Sequence, residues 1–252
     1  MGRYEEYFKT DREKVYGLWH KVVGRGHYQI ILLAETINQF AKEEIKILDI
    51  GCGEGDEMMN ALKKTNKKIS IVANDTSKEA IDIYMNNNGE HVKKTCLEKL
   101  ENLELNEKFD LIVLSHCLYG ATLDNVFTKF FKILEEDGTM LIFQESIKSE
   151  IMYARKKFWP EIYGVEYDEN TIENVKKELN KSQIPFQEKA LTNYLDFEKI
   201  NGEKQIREEL IPFIFRKKEL SEEFVDRAYE FIKTFIKDNK MINYSTALII
   251  KK

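Results

Sequence analysis

Three glycines, Gly51, Gly53 and Gly55, alternate with single residues directly after the apolar run Ile45 to Ile50. Glycine reaches backbone angles closed to other residues and lets a ligand come close to the main chain, so this spacing reads as a cradle for a nucleotide-type cofactor. In dinucleotide folds the third glycine stands three residues after the second, whereas Gly53 and Gly55 are two apart, which argues against NAD. Asp49 lies two positions before the first glycine. Asp75 ends a second apolar run, 24 residues beyond Gly51. A carboxylate there can accept from both hydroxyls of a ribose at once, although an aspartate before the helix from Lys78 to Tyr84 also serves as a turn or cap residue. Further on, Phe109 to Leu114 leads into Ser115-His116-Cys117-Leu118-Tyr119. His116, one of four histidines, is the candidate catalytic group. Imidazole can take a proton, orient a nucleophile or simply hold a strand end.

Parallel strands must carry these groups at their carboxyl ends. Apolar runs predict strands at Ile45 to Ile50, Ile69 to Ala73, His91 to Thr95, Phe109 to Leu114, Thr139 to Gln144, Ile184 to Leu191 and Tyr244 to Ile250. Helical spacing intervenes at Asp11 to Val23, His27 to Lys42, Glu57 to Lys64, Lys78 to Tyr84, Thr122 to Leu134 and Asn170 to Leu179. Glu136-Asp137-Gly138 reads as a stop before the fifth strand. Ile151 to Pro160 reads as a short helix ended by proline and placed to act as a lid, with Tyr153 and Trp159 as candidate substrate contacts. Tyr28, in an aromatic N-terminal region with Tyr4, Tyr7, Phe8 and Trp19, is another. Two further helical stretches, Glu203 to Phe215 and Ser221 to Ile236, precede the last strand, where a hairpin would need far fewer residues.

The chain of 252 residues is 42% hydrophobic and 33% charged, with a net charge of −5. That is long enough for one domain with a sizeable core. The acidic balance and scattered lysine pairs argue against a nucleic-acid partner. No apolar run reaches the roughly 20 residues that span a bilayer, and the charged first 20 residues lack a signal peptide's apolar core, so a cytoplasmic protein is expected. Cys52, Cys96 and Cys117 form no C-x-x-C pair, which points to reduced thiols and against a zinc site.

Asp49-Ile50-Gly51-Cys52-Gly53-Glu54-Gly55 after a strand resembles the first motif of class I S-adenosylmethionine-dependent methyltransferases. The resemblance implies an α/β fold: a Rossmann-like, seven-stranded, mostly parallel sheet with helices on both faces. On this chain it gives one domain over 1–252, with an N-terminal helical cap (1–44), the core (45–195), a helical insertion (196–240) and the last strand (241–252). It implies S-adenosylmethionine as cofactor, with the glycine loop and Cys52 at the methionine end, Asp49 on its amino group and Asp75 with Thr76 at the ribose. Thr95 or Cys96 would contact the adenine, and Ser115 and His116 would lie beside the methyl group. The sequence lacks the Asn-Pro-Pro-Tyr or Asp-Pro-Pro-Tyr pattern typical of enzymes acting on exocyclic base amines. His116 to Tyr119 with Phe130-Phe131 more narrowly looks like the histamine N-methyltransferase group, which implies a polar role for His116 and an aromatic one for Tyr119 toward the substrate. The expected acceptor is a small molecule, an amine before other classes. A protein or RNA methyltransferase and a non-catalytic cofactor-binding module are the alternatives, and the oligomeric state is left open.

Overall fold

The computed structural model describes Leu18, Val22, Val23 and residues 26–252. The expected helix from Asp11 to Val23 therefore falls almost wholly outside the described residues, as do Tyr4, Tyr7, Phe8 and Trp19. The strands are β1 (Glu44–Ile50), β2 (Lys68–Asn74), β3 (Val92–Cys96), β4 (Phe109–Ser115), β5 (Leu134–Glu145), β6 (Gln187–Asp196) and β7 (Lys240–Lys251). The helices are α1 (Gly26–Gln39), α2 (Asp56–Leu62), α3 (Lys78–Asn88), α4 (Val126–Lys132), α5 (Glu150–Tyr163), α6 (Ile172–Lys181) and α7 (Glu222–Lys233), with a further helical run between β6 and α7. Two compact units emerge. One gathers Gly26–Gln144, Asn170–Leu191 and Thr246–Lys252; the other gathers Leu18, Val22 and Val23 with Glu145–Glu169 and Thr192–Ser245.

The sheet has seven strands in the order β3-β2-β1-β4-β5-β7-β6. From β3 to β5 all neighbours pair in parallel. Lys252 N–H bonds to Gly138 O and Ser146 N–H to Tyr244 O, so β7 runs antiparallel to β5. Alternate side chains of the central strands enter different cores, which is why their sequences read as unbroken apolar runs. Ile45, Ile47, Leu111 and Val113 pack with Leu33, Ala34 and Ile37 of α1, Met58 of α2 and Tyr84 of α3. Leu48, Ile50, Ile112 and Leu114 pack instead with Phe127 and Phe130 of α4 and Val175 and Leu179 of α6. The strand order reverses between β1 and β4, where an open parallel sheet offers its ligand crevice.

Three local expectations are corrected. The Glu136-Asp137-Gly138 stop lies within β5: pairing with β4 jumps from Phe109↔Leu134 to Leu111↔Thr139, so the extra residues bulge while the strand continues. Helix α4 starts at Val126 rather than Thr122, because Asn125 before it takes a left-handed turn at φ 60°. Helix α3 runs on to Asn88, which places polar residues beside the glycine loop.

In the second unit α5 continues past Pro160 to Tyr163 and ends at Gly164, whose N–H bonds to Pro160 O at 2.8 Å. Proline removes one hydrogen bond from a helix but does not have to end it when packing holds both sides. Here Phe158 meets Phe215, Phe224 and Phe231 edge-on at centroid distances of 5.7, 5.4 and 5.6 Å. The run from Gly202 to Phe215 is helical throughout, with a widened turn at Ile206–Leu210 ahead of Pro212. Such a turn gives room where the proline ring would crowd the carbonyl four residues earlier. Arg155 and Arg216 are buried with Glu145 and Glu169, so their charges balance inside the unit.

Candidate active site

The loops that leave β1, β2 and β4 are tied together by main-chain and side-chain bonds. Gly51, Gly53 and Gly55 all have positive φ, at 61°, 57° and 79°. A Cβ on Gly51 would lie 2.2 Å from Cys117 Cβ, and one on Gly55 would lie 2.6 Å from the Tyr84 ring and 2.2 Å from Asn88 Nδ2. At both positions glycine thus makes room for protein atoms. The close approach that glycine permits here is to the chain itself, where room for a ligand was expected. Asn88 Nδ2 and Asn87 Nδ2 donate to the carbonyls of Gly55 and Glu54, at 3.2 and 2.8 Å, and fix the loop from the α3 side.

Asp75 Oδ2 accepts the Gly53 N–H at 3.0 Å and its Oδ1 accepts the Ser77 N–H at 2.9 Å. It therefore both shapes its own turn and links the β2 loop to the glycine loop. Each carboxylate oxygen can accept a second bond, so the ribose role expected for it is chemically open. Cys52 N–H donates to Asn74 O at 2.9 Å. Cys96 O accepts from Asp75 N–H and Asn74 Nδ2, at 3.2 and 3.1 Å, so its carbonyl steadies the β2 loop. Burial raises the pKa of the Cys96 thiol. Thr76 and Thr95 are exposed.

Asp49 is the electrostatic centre. It is 5% exposed and accepts Tyr84 Oη–H at 2.8 Å. Burial pushes its carboxyl up to about 7, the Tyr84 bond works against that rise, and the charges of Glu57 and Asp75 add to it. A buried acid among other acids favours a cation beside it. An amino-bearing cofactor fits that demand, and the glycine cradle leaves its backbone next to it. Because the folded pKa exceeds the unfolded one, Asp49 favours folding most below the unfolded pKa of 3.8, and that contribution is lost as pH rises to about 7. In thermal melts of the ligand-free protein, wild type should lose stability relative to Asp49→Asn between pH 4 and 7. Parallel curves for the two proteins would refute this.

Beyond β4, Ser115 Oγ donates to Glu57 Oε2 at 2.8 Å. His116 takes φ 51°, and its N–H bonds to Phe143 O at 2.8 Å. Its Nδ1 lies 3.0 Å from Tyr119 Oη and its Nε2 2.7 Å from Gln29 Nε2. Tyr28, next to Gln29, is 53% exposed. The structure thus brings Gly53, Gly55, Cys52, Asp75 and Cys96 into one bonded set, ties Asp49 to Tyr84 and packs Gly51 against Cys117, and joins His116 with Tyr119 in another set. Tyr153 and Trp159 belong to the second unit. Tyr153 is half exposed and stacks on Phe235, whereas Trp159 is 1% exposed between Tyr163 and Tyr167, at centroid distances of 4.4 and 5.0 Å. Gln29, Glu57, Tyr84 and Asn88 were missed by sequence reasoning. Tyr84 and Asn88 are four apart on one helix face, and Gln29 stands four residues before the buried Leu33, so polar residues on core-facing stripes were the available signal. Among the described residues no cluster is arranged to hold a metal ion and no helix is long and apolar enough to cross a membrane.

Residues 41–159 match a family model described as a methyltransferase domain. No curated protein matches the chain in sequence. Among solved structures, the plantazolicin methyltransferase BpumL in complex with SAH is 18% identical, with a TM-score of 0.58 over 99% of this chain and 94% of its own. The YcgJ protein of Bacillus subtilis is 16% identical, with a TM-score of 0.58 over 90% and 99%. The cyclopropane synthase MmaA2 from Mycobacterium tuberculosis is 18% identical, with a TM-score of 0.56 over 88% and 83%. At these identities the likeness is one of fold. The narrower likeness to histamine N-methyltransferases gains no support from them. The matched segment, residues 41–159, thus resembles a methyltransferase domain, and it lies within a fold shared with the solved structures.

Proposed function

We propose that this protein transfers a methyl group from S-adenosylmethionine to a small-molecule acceptor, an amine in preference to a hydroxyl. The observation that carries the reading is the convergence, at the β1–β4 switch point, of a buried acid, a cradle of positive-φ glycines and Asp75 bonded to that cradle. Asp49 would hold the amino group, Asp75 with Thr76 the ribose, and the end of β3, at Thr95 and Cys96, would border the adenine. Ser115 and His116 would stand at the methyl end. Bound there, S-adenosylmethionine supplies an electrophilic methyl group on a sulfonium.

The protein's part is chiefly positioning, because in-line attack by a lone pair needs alignment more than covalent help. The His116–Tyr119 pair supplies hydrogen bonds that orient the acceptor, and Tyr28 an exposed aromatic ring that attracts an ammonium before it loses its proton. A neutral amine suits a partly aromatic setting, since burial raises the cost of the charged form.

The test is calorimetry with S-adenosylmethionine and S-adenosylhomocysteine, followed by release of the latter on incubation with amines, phenols and carboxylic acids. Binding of both cofactor forms and turnover confined to amines is the expected result. No heat from either form would reject the cofactor reading. Turnover on phenols or acids alone would reject the amine.

A further inference from the structure

Gln29 carries an amide into the core beside His116. Its side chain is 1% exposed and its Nε2 lies 2.7 Å from the imidazole Nε2, while its Oε1 is buried without a hydrogen-bond partner among the described residues. An amide nitrogen carries only N–H groups and cannot accept a hydrogen bond. The amide therefore donates to the imidazole, and in neutral His116 the ring proton must sit on Nδ1. From there it is donated to Tyr119 Oη at 3.0 Å. A free histidine side chain prefers its proton on Nε2, so this environment inverts the ordinary tautomer.

We propose that Gln29 is a positioning residue that locks His116 in its Nδ1–H form, making the imidazole a hydrogen-bond donor to Tyr119 that orients the acceptor rather than a base that takes its proton. The inference deepens the methyl-transfer reading and rests on it for the word acceptor, while the tautomer itself is independent of any reaction. With Nε2 occupied by the amide and Nδ1 protonated, neither ring nitrogen offers a lone pair to an incoming proton. The left-handed backbone at His116 and its N–H bond to Phe143 O hold the ring where both bonds are made.

Long-range nitrogen–proton NMR on the ¹⁵N-labelled, ligand-free chain reads the tautomer directly, with His116→Asn used to assign the signals. Wild type should show His116 protonated at Nδ1 and bare at Nε2. In Gln29→Glu the carboxylate can only accept, so the ring proton should move to Nε2 or the ring should become doubly protonated. In Gln29→Met, which keeps the volume, the Nδ1–H preference should be lost. If the methyl-transfer reading holds, Gln29→Met should also lower kcat about tenfold with the KM for S-adenosylmethionine unchanged. An Nε2–H tautomer in wild type, or an unchanged tautomer in both variants, overturns the role of Gln29 whatever the activity. The expected tautomers in a protein that transfers no methyl group would instead leave Gln29 as the lock and remove the reaction.

Discussion

Replacing His116 by alanine is expected to lower turnover by about 100-fold or more, with affinity for S-adenosylmethionine changed by less than about threefold. The asymmetry follows from where its bonds go. The imidazole reaches Gln29 and Tyr119, whereas the glycine cradle is held by Asp75, Asn87, Asn88 and the main chain of β2. Alanine at a φ of 51° keeps the strained backbone without the ring. His116→Asn is the companion variant, since asparagine tolerates that backbone and its amide can donate to Tyr119. Asparagine should recover part of the rate if the ring's task is to donate and orient, and none if it is to take a proton. Steady-state kinetics on an accepted amine, alongside calorimetry on the same proteins, separates these outcomes. Equal losses of turnover and cofactor affinity would remove His116 from the methyl end of the site.

Much of this arrangement was legible before any coordinates, for a simple reason. Strands covered on both faces have only apolar residues to offer, and they end where glycine and aspartate begin, so Ile45 to Asp56 and Phe109 to His116 announce both element and edge. Less legible was everything decided by packing at a distance. The bulge in β5 arises from its register with β4, and no local turn signal distinguishes it from a stop. Pro160 reads as a terminator because its missing N–H is a local fact, while the ring cluster around Phe158 that holds the helix together comes from segments more than fifty residues away. The size of Trp159 suits a substrate contact, but it equally suits the buried stack that the ring forms with Tyr163 and Tyr167. Gln29 was hidden differently. A single polar residue on an apolar helical stripe reads as noise until its partner, 87 residues away, is found.

Gly51→Ala should destabilise the ligand-free protein by about 3 kcal/mol or more, before any question of cofactor arises. Two causes add. The left-handed backbone at φ 61° costs a residue with a Cβ about 1–2 kcal/mol. The added methyl carbon would also sit 2.2 Å from Cys117 Cβ and 3.1 Å from its Sγ. Neither Cβ can rotate away, so the loops after β1 and β4 must part, and those loops carry the cradle and His116. Denaturant midpoints would measure the loss, and the double variant Gly51→Ala with Cys117→Gly apportions it. Removing the Cys117 side chain relieves the clash and leaves the backbone strain, so the double variant should recover all but about 1–2 kcal/mol of the loss caused by Gly51→Ala. The result discriminates between two reasons for a glycine at this position. Were Gly51 required only so that a ligand can approach the main chain, alanine would abolish cofactor binding, and its effect on stability would be the backbone strain alone, unaltered by any change at Cys117. The contact with Cys117 instead makes the glycine a condition for bringing β1 and β4 together, and the cradle exists because those two strand ends meet.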